Sequence, residues 1–495
     1  MHDERFARSS ATAQGVDPRG VLDFVDAIER DGVELHSLMV LRHGVVVAEG
    51  WWSPYSAQRR HLMYSVSKTF TACATGLAVG EGLLSLDDHV VSFFPDDLPA
   101  EVHPRIAALT VRHLLTMSTG HDDDTLTAIR GVPVERWLAS LLAVVPQTPV
   151  GSRHVYNNGA SLLLANVVQR VSGMHLVDYL RPRLFEPLGI TGATWATDGL
   201  GRELGWSGLH VRTEDLAALG ELLLHDGVWR GVRLLPRGWV DAASVAQIST
   251  DTQDDADWAC GYGYQMWVSR HGFRADGAFG QFCLVLPEQD AVVVTTSGQP
   301  ITQTILEHVW THLIPALSGV RSPADPDAER SLADRLAALA LTAPASRNDA
   351  AGGSRETSAW AQRGPVAIAP GVEDPAPWFP ALSDVTLVRT TTGTGTGSGS
   401  GSGWTLTMLD AGHALTVACG DGRWARSTVT HPLGAAIPVA ASAGRAGADA
   451  FAEIVFVETP HRLRLDLHAG AAGTAAQMRW NVPPLDIASL DELHA

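Results

Sequence analysis

Of the chain's 36 cationic residues all but one are arginine, and the exception is Lys68. A serine stands three positions before it, in Ser65-Val66-Ser67-Lys68, and Thr69-Phe70-Thr71-Ala72-Cys73-Ala74 continues as a helical pattern. Residues i and i+3 share a helix face, so Ser65 Oγ and Lys68 Nζ can meet. Near a helix N-terminus the macrodipole favours negative and disfavours positive charge, which stabilises a serine alkoxide and pushes the ammonium toward neutral amine. A neutral amine can accept the serine proton; a guanidinium cannot. That is a physical reason for one lysine to persist where arginine otherwise supplies positive charge. A lone S-x-x-K string ordinarily means an N-cap serine beside a surface lysine, and it is the scarcity of lysine that shifts the balance toward a nucleophile and its base.

Two further segments carry possible chemistry. Tyr156-Asn157-Asn158 precedes a helix expected to begin near Gly159. A phenol beside a lysine ammonium can have a lowered pKa and relay protons. The Asn158 amide can hold the lysine or a substrate carbonyl, although an Asn pair before a helix is commonly an N-cap. Gly277-Ala278-Phe279-Gly280-Gln281 leads into an apolar run, where glycine at a strand edge permits close approach by a ligand. There the N–H of Gln281, beside Gly280, can point at a carbonyl oxygen; a plain turn is the other meaning. Trp51-Trp52 and the segment holding Trp258, Tyr262, Tyr264 and Trp267 are aromatic enough to line an acyl pocket or to fill a core. Trp267 is the pocket candidate among them.

Other catalytic schemes find little support. The chain has no G-x-S-x-G nucleophile elbow and no H-E-x-x-H. His121 followed by Asp122-Asp123-Asp124 hints at a metal, but acid runs in loops are usually solvated. No metal and no cofactor are expected. Four cysteines lie far apart without a C-x-x-C pair, which argues against a zinc knuckle or a redox dithiol.

The elements that must position these residues follow from periodicity. Leu38-Met39-Val40-Leu41 and Val45-Val46-Val47-Ala48 flank a glycine turn, and Phe282-Cys283-Leu284-Val285-Leu286 and Ala291-Val292-Val293-Val294-Thr295 flank another. Between these hairpins, residues 69–80, 134–145, 160–171 and 214–225 show apolar positions near a 3.6 period, and 301–317 and 328–341 follow as helical runs. The expected fold class is α+β: an antiparallel sheet built from the first and last segments of one domain, flanked by helices, with a helical insertion. That domain is expected over residues 15–320, a linker with a short helix over 321–380, and a small β-rich C-terminal domain over 381–487 with a flexible Gly/Ser/Thr loop at 390–403.

The chain of 495 residues is long enough for such a pair of domains and, at 45% apolar residues, for a packed core. A net charge of −18 argues against gripping nucleic acid. The first residues, Met1-His2-Asp3-Glu4-Arg5, carry acids and no apolar stretch, and no run approaches the roughly 18 apolar residues of a membrane span. The expectation is a cytoplasmic protein with no membrane partner and a small-molecule substrate. Its oligomeric state is left open.

Taken in order, the three motifs resemble the serine β-lactamase-like family, which includes class C β-lactamases, penicillin-binding DD-peptidases, esterases, D-aminopeptidases and 6-aminohexanoate-dimer hydrolases. Leu114-Leu115-Thr116-Met117-Ser118-Thr119-Gly120, Ser207-Gly208-Leu209 and Thr213-Glu214-Asp215-Leu216 add to the likeness, which covers roughly residues 15–320. The resemblance implies a helical and an α/β domain with the site between them. It puts the nucleophile at Ser65, the lysine at Lys68, the tyrosine at Tyr156, the asparagine at Asn158, and the oxyanion-binding N–H groups at Ser65 and Gln281. It implies a serine acyl hydrolase for small esters or amides. DD-peptidase or β-lactamase activity, or a non-turnover penicillin-recognising protein, are the alternatives. One departure stands out. The Lys-Thr-Gly of β-lactamases and DD-peptidases aligns here with Ala278-Phe279-Gly280, so the cation for a substrate carboxylate is absent unless Arg270 or Arg274 reaches in from a nearby strand.

Overall fold

A computed structural model describes residues 5–318, 325–346, 359–369, 381–390, 403–470, 473–485, 487 and 489–494. The chain forms two compact units, Met1–Gly50 with Leu62–Ala338, and Trp51–His61 with Leu339–Ala495.

The first unit is built on a six-stranded sheet. Helix α1 (Pro18–Arg30), with Asp17 capping its N-terminus, leads into strands β1 (Leu35–Arg42) and β2 (Val45–Trp51). The turn joining them places His43 at φ 52° and Gly44 at φ 73°, the left-handed pair that lets a two-residue turn follow the strand twist. Strands β3 (Trp267–Val268), β4 (Phe273–Gly277), β5 (Gln281–Leu286) and β6 (Ala291–Ser297) complete the sheet in the order β2-β1-β6-β5-β4-β3. The late strands thus pair with the first: Val40 faces Val293 and Leu284 faces Val293 from the other side, each antiparallel. Every residue of β1, β5 and β6 is buried, which explains their unbroken apolar runs.

Helices occupy the middle of the chain. Helix α2 (Ser67–Gly80) is buried from Ser67 to Ala78. Its Gly76 and Gly80 lie so close to Trp239 and Pro236 that a Cβ would collide with them, at 2.5 and 2.7 Å. Then come α3 (Val111–Leu115), α4 (Asn158–Ser172) and α5 (Thr213–Leu224), the last packed on the sheet. The helical run expected over 301–317 is broken: Gln303–His308 is α-helical, but Val309–Leu313 widens to a π turn before Ile314–Ala316. The expected helix at 328–341 is Pro326–Ala337, held to α1 by Arg335 on Asp26 and Glu29.

The second unit is β-rich. One sheet joins Ala359–Ala361, Leu382–Thr390, Gly403–Asp410 and His413–Cys419; the other joins Ala367–Ile368 with five longer strands between Ala425 and Trp480. Gly403–Asp410 alternates strictly between buried and half-buried, the period-2 signature of one covered face. Trp360, Trp404, Leu406, Ile454, Phe456 and Leu465 share its core. Trp51–His61 is a strap in this unit: Tyr55 packs with Ala440, Val455 and Val457, and its hydroxyl donates to Thr459 O at 3.1 Å. Trp51 and Trp52, pocket candidates by sequence, belong to this strap. Residues 321–324, 347–358 and 370–380 of the expected linker, and 391–402 of the expected flexible loop, lie outside the described residues.

Candidate active site

Ser65 lies on a single 3-10 turn, Tyr64–Val66, that runs directly into α2. Tyr64 takes φ 45°, an uncommon conformation for a non-glycine residue. One turn later, Lys68 Nζ donates to Ser65 Oγ at 2.8 Å and to Trp206 O at 2.8 Å. The lysine is 1% exposed, and its Nζ lies 4.9 Å from the centre of the Tyr156 ring. Burial pulls the Lys68 pKa down to about 7, while the carboxylates of Asp124 and Asp276 pull it back up. The amine is therefore uncharged about half the time at neutral pH.

Tyr156 reaches the same hydroxyl through a side-chain hydrogen bond with Ser65. Its pKa departs from expectation. Burial drives the phenol well above its ordinary value, helped by Asp276 and Asp124 and opposed only by the Ser65 bond. The lowering expected from a neighbouring ammonium is overridden by that burial and by the two carboxylates. Tyr156 is thus a neutral phenol, able to donate but not to start as the base.

The asparagine pair divides its work. Asn157 caps α4: its Oδ1 accepts from Ala160 N at 3.2 Å and from Thr125 N at 3.1 Å. The helix therefore begins at Asn158, one residue earlier than expected. The Asn158 amide donates to Asp124 Oδ2 at 2.7 Å, not to the lysine. Asp124 also accepts from Leu126 N and Gly159 N. Asn158 thus acts at this site by fixing a carboxylate that raises the lysine's charge.

The oxyanion expectation needs correction. Ala278, Phe279 and Gly280 are not on the edge strand but form the turn between β4 and β5. Gly280 donates its N–H to Gly277 O at 3.2 Å. Gln281 opens the interior strand β5, fully buried, and its side chain ties Ala278 O at 2.9 Å to Ser297 O at 2.8 Å. Gln281 braces the turn. The strand that approaches the nucleophile is β4: a Cβ on Gly277 would sit 2.3 Å from Met63 O and 3.3 Å from the Val66 side chain. The Ala278 N–H, next along, makes no hydrogen bond among the described residues.

Strand β4 carries Arg274, named from the sequence only as a possible carboxylate receptor, and Asp276, which the sequence reading missed. Arg274 and Asp276 sit two apart and so share a strand face, which was the available signal. Arg274 Nε donates to Asp276 Oδ2 at 2.9 Å. The guanidinium is fully buried, 4.4 Å from the Trp258 ring centre, and Nη1 is held by Asp257 O and Ser269 Oγ. Arg270 is engaged by Asp257 and Glu307. Arg274 Nη2 is buried without a hydrogen-bond partner among the described residues, and Arg270 is committed to its two carboxylates.

Trp267 stacks on Tyr156, with ring centres 5.9 Å apart and planes 12° apart, and Tyr262 meets it edge-on at 4.8 Å. Trp267 is 6% exposed and clusters with Met117 and Tyr262. Gln265, also missed by sequence, is a buried hub: Ser161 Oγ on α4 donates to its Oε1, Thr69 Oγ1 on α2 to its carbonyl, and its amide to Leu114 O and Leu115 O of α3. The three helices bearing the motifs are tied through this one side chain and backbone. His121 lies buried with its ring nitrogens on Thr119 Oγ1 and Val144 O, both at 2.9 Å, so neither is turned toward the acid run beside it.

A protein-family model described as Beta-lactamase matches residues 25–304, more than half of the chain. The chain belongs to this family. The β-lactamase-family match includes every residue of the Ser65–Lys68–Tyr156 cluster and strand β4. Among curated relatives, the 6-aminohexanoate-dimer hydrolase of Paenarthrobacter ureafaciens is 25% identical over 292 residues, covering 54% of this chain and 74% of that protein. Penicillin-binding protein 4 of Amycolatopsis lactamdurans is 25% identical over 342 residues, covering 60% and 86%. Among solved structures, EstCE1, a hydrolase with promiscuous acyltransferase activity, superposes with a TM-score of 0.50 at 17% identity, over 62% of this chain and 99% of that one, a likeness of fold. This β-lactamase-family member is a serine hydrolase with a β-lactamase/transpeptidase-like fold and a β-rich C-terminal region. None of its described helices is long and apolar enough to cross a membrane.

Proposed function

We propose that the protein is a serine acyl hydrolase that cleaves small esters or amides through an acyl-Ser65 intermediate. The observation that carries this reading is the buried Lys68 amine, 2.8 Å from Ser65 Oγ and uncharged about half the time near pH 7. Lys68 takes the serine proton as Ser65 attacks the carbonyl carbon. The developing oxyanion is received by the N–H groups of Ser65 and Ala278, donors placed by the 3-10 turn and by the end of β4. Tyr156, a neutral phenol, passes its proton to the leaving group and regains one from Lys68. Water then attacks the acyl carbonyl as Lys68 takes its proton, and the same proton returns to Ser65 Oγ as the serine leaves. Trp267 and Tyr262 supply the apolar wall for the acyl group.

The relatives named above include an amide hydrolase and a penicillin-binding protein. The charge on β4 favours the first kind of substrate: no accessible cation stands there to receive a β-lactam or D-alanyl carboxylate. Screening p-nitrophenyl esters, anilides and a chromogenic β-lactam, with Ser65→Ala as the blank, tests the reading. Steady turnover of esters or anilides that vanishes in Ser65→Ala is the expected result. A single burst without turnover, or activity that survives in Ser65→Ala, defeats it.

A further inference from the structure

Asp276 is a carboxylate that the acyl-transfer steps do not use. It stands on β4 one residue before Gly277, the residue that touches the nucleophile's turn. It is near enough to Lys68, Tyr156 and Tyr262 to act on the charge of each. Its side chain keeps 12% of its surface, while its partner Arg274 keeps none. Oδ2 is taken by Arg274 Nε at 2.9 Å, and Oδ1 accepts no hydrogen bond among the described residues. The ion pair is therefore one-sided: a buried guanidinium holds Oδ2 and leaves Oδ1 without a hydrogen bond among the described residues, on a side chain that keeps some exposure.

The surroundings favour a cation at that oxygen. Asp124 and Asp276 both act on the Lys68 amine, whereas Arg274 is the one guanidinium acting on Asp276 at close range and is closed off beneath Trp258. The rings of Trp258 and Trp267 lie beside Arg274, whose Cζ is 4.4 and 5.8 Å from their centres, and Tyr262 meets Trp267 edge-on. Such faces attract an ammonium and do nothing for a carboxylate.

Resting on the acyl-hydrolase reading, we propose that Asp276, held by Arg274 and walled by Trp258, Trp267 and Tyr262, receives the ammonium group of the substrate. The preferred substrates are then esters and amides that carry a free amine close to the scissile carbonyl, such as aminoacyl amides, and substrates with a carboxylate at that place are refused.

The test compares alanine p-nitroanilide with its N-acetyl form, in both enantiomers, near pH 7. A charge-assisted hydrogen bond predicts a preference of about 10- to 100-fold in kcat/KM for the free amine. Asp276→Asn should bring that ratio close to one, and Asp276→Glu should restore part of it. Because the ratio is taken within one variant, a general loss of rate cancels. As a measurement on the unaltered protein, n-propylamine should inhibit competitively at least about tenfold better than n-propanol, reflecting the same charge-assisted bond. A wild-type ratio near one, a ratio unchanged in Asp276→Asn, or equal inhibition by amine and alcohol overturns the proposal. The underlying reading is judged separately on p-nitrophenyl acetate: if Ser65→Ala still turns it over, that reading fails, whereas Ser65-dependent turnover without amine preference sinks only the role of Asp276.

Discussion

Lys68 donates to Ser65 Oγ from a pocket that leaves the lysine 1% exposed, so burial lowers its pKa to about 7 while the hydroxyl stays within bonding reach. On the proposed mechanism that pKa sets the acid limb of the rate. The neutral fraction grows with pH, so kcat/KM on an uncharged ester should rise through about pH 7 and then level off. Tyr156, held well above its ordinary value, adds no fall before strongly alkaline pH. A pH–rate profile checks this; a curve flat from pH 5 to 9 contradicts it. Lys68→Arg keeps the charge and removes the base, and should cost about 10²–10⁴-fold.

Burying that amine also has a cost in stability. The folded pKa lies near 7 and the ordinary value is 10.5, so between these the unfolded chain binds the extra proton. Stability from this group therefore rises with pH across that window, and the full penalty applies below it. Lys68→Met should raise the free energy of unfolding most at pH 6, by an amount on the order of a few kcal/mol, with the gain shrinking toward pH 10. Urea titrations at both pH values decide it. A variant less stable than wild type at pH 6 contradicts the account.

Gly277 is required by contact. A Cβ there would meet Met63 O at 2.3 Å, and the opposing atom is backbone. Gly277→Ala should displace the Ser65 turn, costing about 1–3 kcal/mol of stability and more than tenfold in kcat. Gly280→Ala serves as the contrast: its Cβ would meet Ile305 and Ser297 side chains at 2.5 and 3.0 Å, so its loss should fall on stability and largely spare the rate of the folded fraction. Equal kcat losses in the two variants would refute the distinction.

Gln265 holds α2, α3 and α4 in register through Thr69, Leu114, Leu115 and Ser161. Gln265→Leu leaves buried partners unpaired at about 1–3 kcal/mol each. Part of the cost should appear as a lower kcat, because α2, which carries Lys68, and α4, which Tyr156 precedes, lose their common tie. Thermal denaturation and turnover of one p-nitrophenyl ester measure both; a variant as stable as wild type would show that the hub is dispensable.

Local spacing was enough to place Ser65 Oγ within reach of Lys68 Nζ, because i and i+3 on a helical turn meet whatever the rest of the fold does. Apolar runs likewise located the strands of the main sheet, since β1, β5 and β6 are buried on both faces. What needed tertiary structure was everything that depends on two distant segments arriving together. The strand beside the nucleophile is β4, not the turn after it, because the β4–β5 register pairs Gln281 with Gly277 and turns Gly280 inward. Asn158 reaches Asp124, 34 residues away, instead of the lysine. The pKa of Tyr156 moved opposite to expectation because burial, a property of the whole packing, outweighs its hydrogen bond with Ser65. Sequence alone thus determined which groups stand within reach of one another along a helical turn; the packed fold decided which of them are buried, which are braced, and which partners meet across distant segments, because those depend on how the whole chain packs.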